Sequence, residues 1–116
     1  KAFIHKKKYA GESLEKKIYK IQSTLQSTFI DYYLLTSLES IAWLLNIRGN
    51  DIEYTPLIFS FVIIPRSGKI EFFVDEDKII NVKKQLADFV NFHSFNNIYD
   101  YLISIKKGVN LALFID

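Results

Sequence analysis

The residues whose type and spacing first raise metal or proton chemistry are the two histidines, His5 and His93, and the acidic trio Asp75, Glu76 and Asp77. Neither histidine has a metal-ligand neighbour at a useful spacing, since there is no His-Glu-x-x-His and no His-x-His. His93 lies within a strand pattern and reads as a half-buried sheet residue. The acidic trio could bind a hard cation weakly, but its place between a strand and a helix pattern favours a solvated loop. A Ser-His-Asp set forms in space and is not excluded by spacing, yet no Gly-x-Ser-x-Gly elbow nominates a serine. With four glycines in all, no phosphate-cradling loop is present. There is no cysteine, so neither thiolate chemistry nor a disulfide framework is available. That absence suits a reducing, cytoplasmic setting.

These side chains must be carried by one domain. The 116 residues are 49% hydrophobic and 16% aromatic, enough for a single sizeable core. No apolar run reaches membrane-spanning length and no signal-peptide pattern opens the chain, so no membrane partner is expected. The chain begins at Lys1 and contains no Met, and it is expected to be a piece of a longer polypeptide. Residues 1–20 hold seven lysines against Glu12 and Glu15, a local +5 within a total of +2, leaving −3 on the rest. The Lys6-Lys7-Lys8 run is therefore a solvated lead-in, with residues 1–12 as linker and 13–116 as the domain. Basic residues do not return as a patch on the body, so no nucleic-acid partner is expected.

Leu14, Ile18, Ile21 and Leu25 recur at helical spacing after Ser13, a candidate N-cap, while Lys16, Lys17 and Lys20 fall largely on the other side. Asp31–Thr36 reads as a buried strand. Thr36-Ser37-Leu38-Glu39 matches a capping box for a helix with Leu38, Ile41, Ala42 and Leu45 on its apolar face and Gly49 as its left-handed stop. Leu57–Ile64 is an interior strand and Pro65–Gly68 a turn. Lys69–Val74 completes a hairpin. A helix over Ile79–Leu86, a strand over Phe89–Phe95, a helix over Asn97–Lys106 capped by Asn96 or Asn97, and a strand over Asn110–Ile115 follow. The order α-β-α-β-β-α-β-α-β implies an α/β fold: a mixed, mainly parallel five-stranded sheet with helices on both faces and one β-hairpin. Such a sheet invites comparison with ribonuclease H-like nucleases, which hold paired metals on strand carboxylates. Asp31 and Glu71 are too few and misplaced for that.

Ile41-Ala42-Trp43-Leu44-Leu45-Asn46-Ile47-Arg48-Gly49-Asn50-Asp51, followed by Pro56 and Phe59–Ile64, resembles the signature of the Xaa-Pro aminopeptidase family. Thr36, Leu38 and Glu39 fit it as well, and Tyr9-Ala10-Gly11-Glu12-Ser13 with the lysine-rich helix is similar to the segment leading into the family's middle domain. The resemblance covers nearly the whole chain. It implies a creatinase/prolidase amino-terminal type fold, preceded by a similar domain and followed by a catalytic pita-bread domain that cleaves before proline with a dinuclear metal, commonly manganese. The ligands of that metal belong to the third domain, so the resemblance implies no catalytic or metal-binding residue and no cofactor here. The implied partners are the other domains of the polypeptide and, in the parent, the peptide substrate; a homodimeric parent is a further expectation.

Asn46, Arg48, Gly49, Asp51 and Trp43 are then the candidates for substrate access or a domain interface. Arg48 pairing with Asp51 or Glu53 to fix a turn is an equally good reading, and Trp43 reads as core before aromatic wall. The leading function is a noncatalytic middle domain that shapes substrate access and domain arrangement. The alternative is a protein-interaction module of a relative that has lost its metal ligands, which the downstream reading frame would decide.

Overall fold

The structure, a computed structural model, describes residues 12–46, 60–80, 83–105 and 111–114. In chain order these form α1 (Leu14–Thr28), β1 (Tyr32–Leu35), α2 (Leu38–Leu45), β2 (Phe61–Pro65), β3 (Ile70–Phe73), α3 (Lys83–Leu86), β4 (Val90–His93), α4 (Ile98–Ile105) and β5 (Leu111–Phe114). Short 3-10 turns at Glu76–Lys78 and Phe95–Asn97 precede α3 and α4. The expected order of nine elements is met.

The five strands lie in the order β4-β3-β2-β1-β5. The hairpin β2/β3 is antiparallel, turning through Arg66–Gly68 with Gly68 at φ 89°, a conformation that glycine adopts without steric cost. β1 also pairs antiparallel with β2, whereas β1/β5 and β3/β4 are parallel. The sheet is mixed, but the expected parallel majority is replaced by an even split. A helix between two strands gives parallel pairing when it makes the whole crossover; β1 and β2 pair antiparallel with α2 between them in sequence, so α2 is not a whole crossover.

Alternation along the strands sorts side chains to two faces. Leu35, Val62, Ile64, Ile70, Phe72 and Val90 join Leu14, Ile18 and Leu25 of α1, Ile41, Leu44 and Leu45 of α2, and Leu86 of α3 in the main core. Leu34, Ile63 and Phe73 face the other way, under Ile98, Tyr101 and Leu102 of α4. Among the described residues, helices thus cover both faces, α1, α2 and α3 on one and α4 on the other.

Ends of elements depart from expectation in four places. Ser13 caps α1 as expected, accepting from the Lys16 amide at 3.2 Å. Ser37, not Thr36, caps α2, accepting from the Ser40 amide at 3.3 Å, because Ser37 is the residue with extended backbone next to the first turn. Asn46 at φ 59° ends α2, ahead of Gly49, which lies outside the described residues. The helix expected over Ile79–Leu86 is reduced to α3, after Asp75 has turned the chain by accepting from the Asp77 amide at 3.2 Å. α4 continues directly from a 3-10 turn whose N-cap position is Ser94, so neither Asn96 nor Asn97 caps it.

Candidate functional site

The most unusual chemistry lies where α1 crosses the end of α2. Lys17 is 1% exposed. At 100° per residue it sits roughly 60° off the line through Leu14, on the flank of the apolar stripe. It therefore packs inward, unlike Lys16 and Lys20. Its Nζ donates to the Trp43 carbonyl and to Asn46 Oδ1 at 2.6 Å, and lies 4.5 Å from the centroid of the Trp43 ring. Two oxygen acceptors and one π face match the three N–H donors of an ammonium. Burial pulls the Lys17 pKa below the ordinary lysine value, with the Glu12 charge acting the other way.

The acceptors come from a helix end with carbonyls to spare. α2 has Glu39 in its first turn and no basic residue in its last. The cation favoured at a helix C-terminus is therefore supplied by α1. Asn46 takes the left-handed conformation, and its amide hydrogen bonds the carbonyls of Ala42 and Trp43. Its side chain is oriented by use: Nδ2 donates to the Glu12 carbonyl at 3.1 Å, which leaves Oδ1 for Lys17. The Glu12 carboxylate pairs with Lys20, and that hydrogen bond is the main reason its pKa falls below the usual range.

Asn46 is buried, whereas Trp43 is 52% exposed. The expectation that Trp43 is core is thus corrected: its inner face meets Lys17 and the rest of the indole reaches the surface. Arg48, Gly49 and Asp51 lie outside the described residues.

A second polar group occupies the sheet face beneath α4. His93 Nε2 and Glu71 Oε1 are 2.6 Å apart, and Asn91 donates to Glu71 Oε2 at 3.3 Å. The β3/β4 register sets Asn91 beside Glu71 and His93 beside Phe73, which makes Glu71 and His93 diagonal neighbours. The His93 ring stacks on Phe73 with centroids 4.5 Å apart, and Tyr101 lies 5.7 Å away. Burial, with the charges of Glu71 and Tyr32, pushes the Tyr101 hydroxyl up to about 12. His93 is a partly buried sheet residue, as expected. Among the described residues its ring nitrogen is engaged by Glu71, with no serine or threonine hydrogen-bonded to it.

The other sequence candidates are dispersed. Asp31 lies 3.5 Å from Arg66 beside the hairpin, and Glu76 pairs with Lys83 at 2.7 Å. Among the described residues no three of His, Asp and Glu come together to hold a metal ion. An apolar groove of about 390 Å³ between α1 and β1, lined in part by Lys20, Thr24, Leu25 and Tyr33, has no carboxylate or imidazole in its wall. Among the described residues no helix is long and apolar enough to cross a membrane.

The fold and the α2 signature define a class of domain. The chain belongs to the creatinase/prolidase N-terminal domain family, whose model matches residues 1–116. Among curated proteins it is similar to the Probable Xaa-Pro aminopeptidase P of Paracoccidioides lutzii, 37% identical over 101 residues, and to that of Ajellomyces capsulatus, 36% identical over the same length. Each alignment covers 86% of this chain and 16% of the relative, so the chain spans about a sixth of the length of the curated relatives it matches. Among solved structures it is similar to X-prolyl aminopeptidase from Caenorhabditis elegans, described as a cytosolic enzyme with a dinuclear active site. That likeness has a TM-score of 0.78 at 26% identity and covers 91% of this chain and 18% of the enzyme. The described residues do not fit a dinuclear centre: the closest imidazole–carboxylate pair, His93 and Glu71, is engaged internally.

Proposed function

We propose that this chain is a noncatalytic domain of a metal-dependent Xaa-Pro aminopeptidase, an enzyme that removes an N-terminal residue preceding proline, and that it shapes substrate access and domain arrangement in a cytoplasmic parent. The observation that supports this reading is the family match over residues 1–116, together with the likeness to longer relatives, of which the chain spans about a sixth, that bear that activity in their names. Divalent metal, manganese by preference, belongs to another part of the parent. Peptide substrate and the other domains are its partners.

Within this reading the end of α2 is the working surface. A half-exposed indole on a buried cation, beside a capped helix end, suits contact with another domain or with the edge of a cleft. Arg48, Gly49 and Asp51 follow it directly in sequence. In the full-length polypeptide, Trp43→Ala and Arg48→Ala should each lower kcat/KM on an Xaa-Pro peptide by at least roughly tenfold, about 1.4 kcal/mol of transition-state stabilisation. The melting midpoint should stay nearly unchanged in Arg48→Ala and fall modestly in Trp43→Ala, which also takes the ring away from Lys17. Unaltered kinetics for both would remove this surface from the function.

A further inference from the structure

Trp43 projects from a two-turn helix with about half its surface in water. Side chains in such positions ordinarily sample several rotamers on the nanosecond scale. Here the ring has a fixed point beneath it. The Lys17 ammonium is tethered by the carbonyl of Trp43 itself and by Asn46 Oδ1, and its remaining donor direction is occupied by the Trp43 ring. Lys17 can serve as that fixed point because its stem is buried along α1 and its head cannot leave for water without abandoning both acceptors.

We infer that Lys17 is a positioning residue for Trp43, holding the indole as a preorganised aromatic plate on the outer surface of α2. The hydrophobic core does not do this, since it takes Ile41, Leu44 and Leu45 from the same helix and leaves Trp43 out. A partner meeting a plate already held in place loses less side-chain freedom on contact than one meeting a mobile indole. The inference rests on the proposed role of Trp43 and names what makes that role possible.

The chain has one tryptophan and no cysteine, so the test can be made at a single atom. Lys17→Cys, alkylated while unfolded with bromoethylamine and then refolded, regains an ammonium of lysine length; iodopropane gives the same stem without charge. The aminoethyl form should restore the wild-type fluorescence anisotropy of Trp43. The propyl form, and Lys17→Gln as a second uncharged variant, should lower the anisotropy and raise acrylamide quenching roughly twofold, as expected for a ring released from its cation. If the two adducts and Lys17→Gln are indistinguishable from wild type, Lys17 does not position the ring.

In the full-length polypeptide, Lys17→Met should lose kcat/KM, and the double variant with Trp43→Ala should be no worse than Trp43→Ala alone. Penalties that multiply would overturn the inference. If Trp43→Ala leaves the kinetics unchanged, it is the proposed function that fails, and the fluorescence comparison still decides the role of Lys17.

Discussion

Asn46 accepts from the Lys17 ammonium through Oδ1 at 2.6 Å and donates to the Glu12 carbonyl through Nδ2 at 3.1 Å, so one side chain links the residue ahead of the α1 cap, the first turn of α1 and the end of α2. Its backbone is left-handed at φ 59°. These two demands separate by substitution. Asn46→Gly keeps the backbone and drops the side chain, which leaves a buried cation short of an acceptor and should cost about 1–3 kcal/mol. Asn46→Ala adds the steric cost of the left-handed conformation, about 1 kcal/mol more. Urea midpoints should fall in the order wild type, Gly, Ala; an Ala variant as stable as the Gly variant would contradict the geometry.

Beneath α4, Glu71 is 14% exposed on its side chain and receives both His93 and Asn91. Glu71→Ala removes the shared acceptor and leaves the partly buried His93 without its partner, while the exposed Asn91 can turn to water, a loss of about 1 kcal/mol. Glu71→Gln retains an acceptor and should recover at least half of that. Equilibrium unfolding of the two variants measures the difference.

The Tyr101 hydroxyl, held neutral by burial and by Glu71 and Tyr32 up to about 12, gives a pH dependence of definite sign. A folded-state pKa raised above the unfolded value of about 10 means that the folded chain keeps a proton the unfolded chain gives up. The stabilisation is complete below about pH 10 and is lost as pH rises towards the folded value. Stability should therefore fall more steeply across that alkaline window in wild type than in Tyr101→Phe, with phenolate absorbance in the folded protein tracking the change.

Metal addition should not make this chain a peptidase. With no three metal-ligating side chains together among the described residues, the 116-residue chain should leave Xaa-Pro peptides intact with or without manganese. Turnover that survives stringent repurification would refute this.

Much of the fold was legible because hydrophobic period distinguishes helix from strand, and all nine elements follow that signal. What escaped it was set by contacts distant in sequence. The even split of strand pairings rests on β1 pairing antiparallel with β2 although α2 lies between them, a matter of direction that periodicity does not measure. Lys17 carries a charge, and charge speaks for solvent until two acceptors from another helix are in view. Five positions past Leu38 is a turn of about 140°; that angle puts Trp43 off the apolar stripe, so the core expectation weighed aromatic bulk over direction. Asn46 could have been found, since asparagine is second to glycine as a left-handed helix stop. The pairing of Glu71 with His93 was not legible in the sequence, because it needed the β3/β4 register.

The sheet also imposes an order of assembly during synthesis. β1, near the beginning, ends beside β5, where Tyr32 faces Leu111, while β1 to β4 can join one another as they emerge. Until β5 leaves the ribosome, β1 is the outer strand on that side of the sheet, a place β5 then takes. Closing so long a loop adds an entropic cost that grows with the logarithm of its length. Slowed translation after residue 93 should therefore delay completion of the sheet, whereas permuting the chain so that β5 precedes β1 should let β1 pair on both sides early.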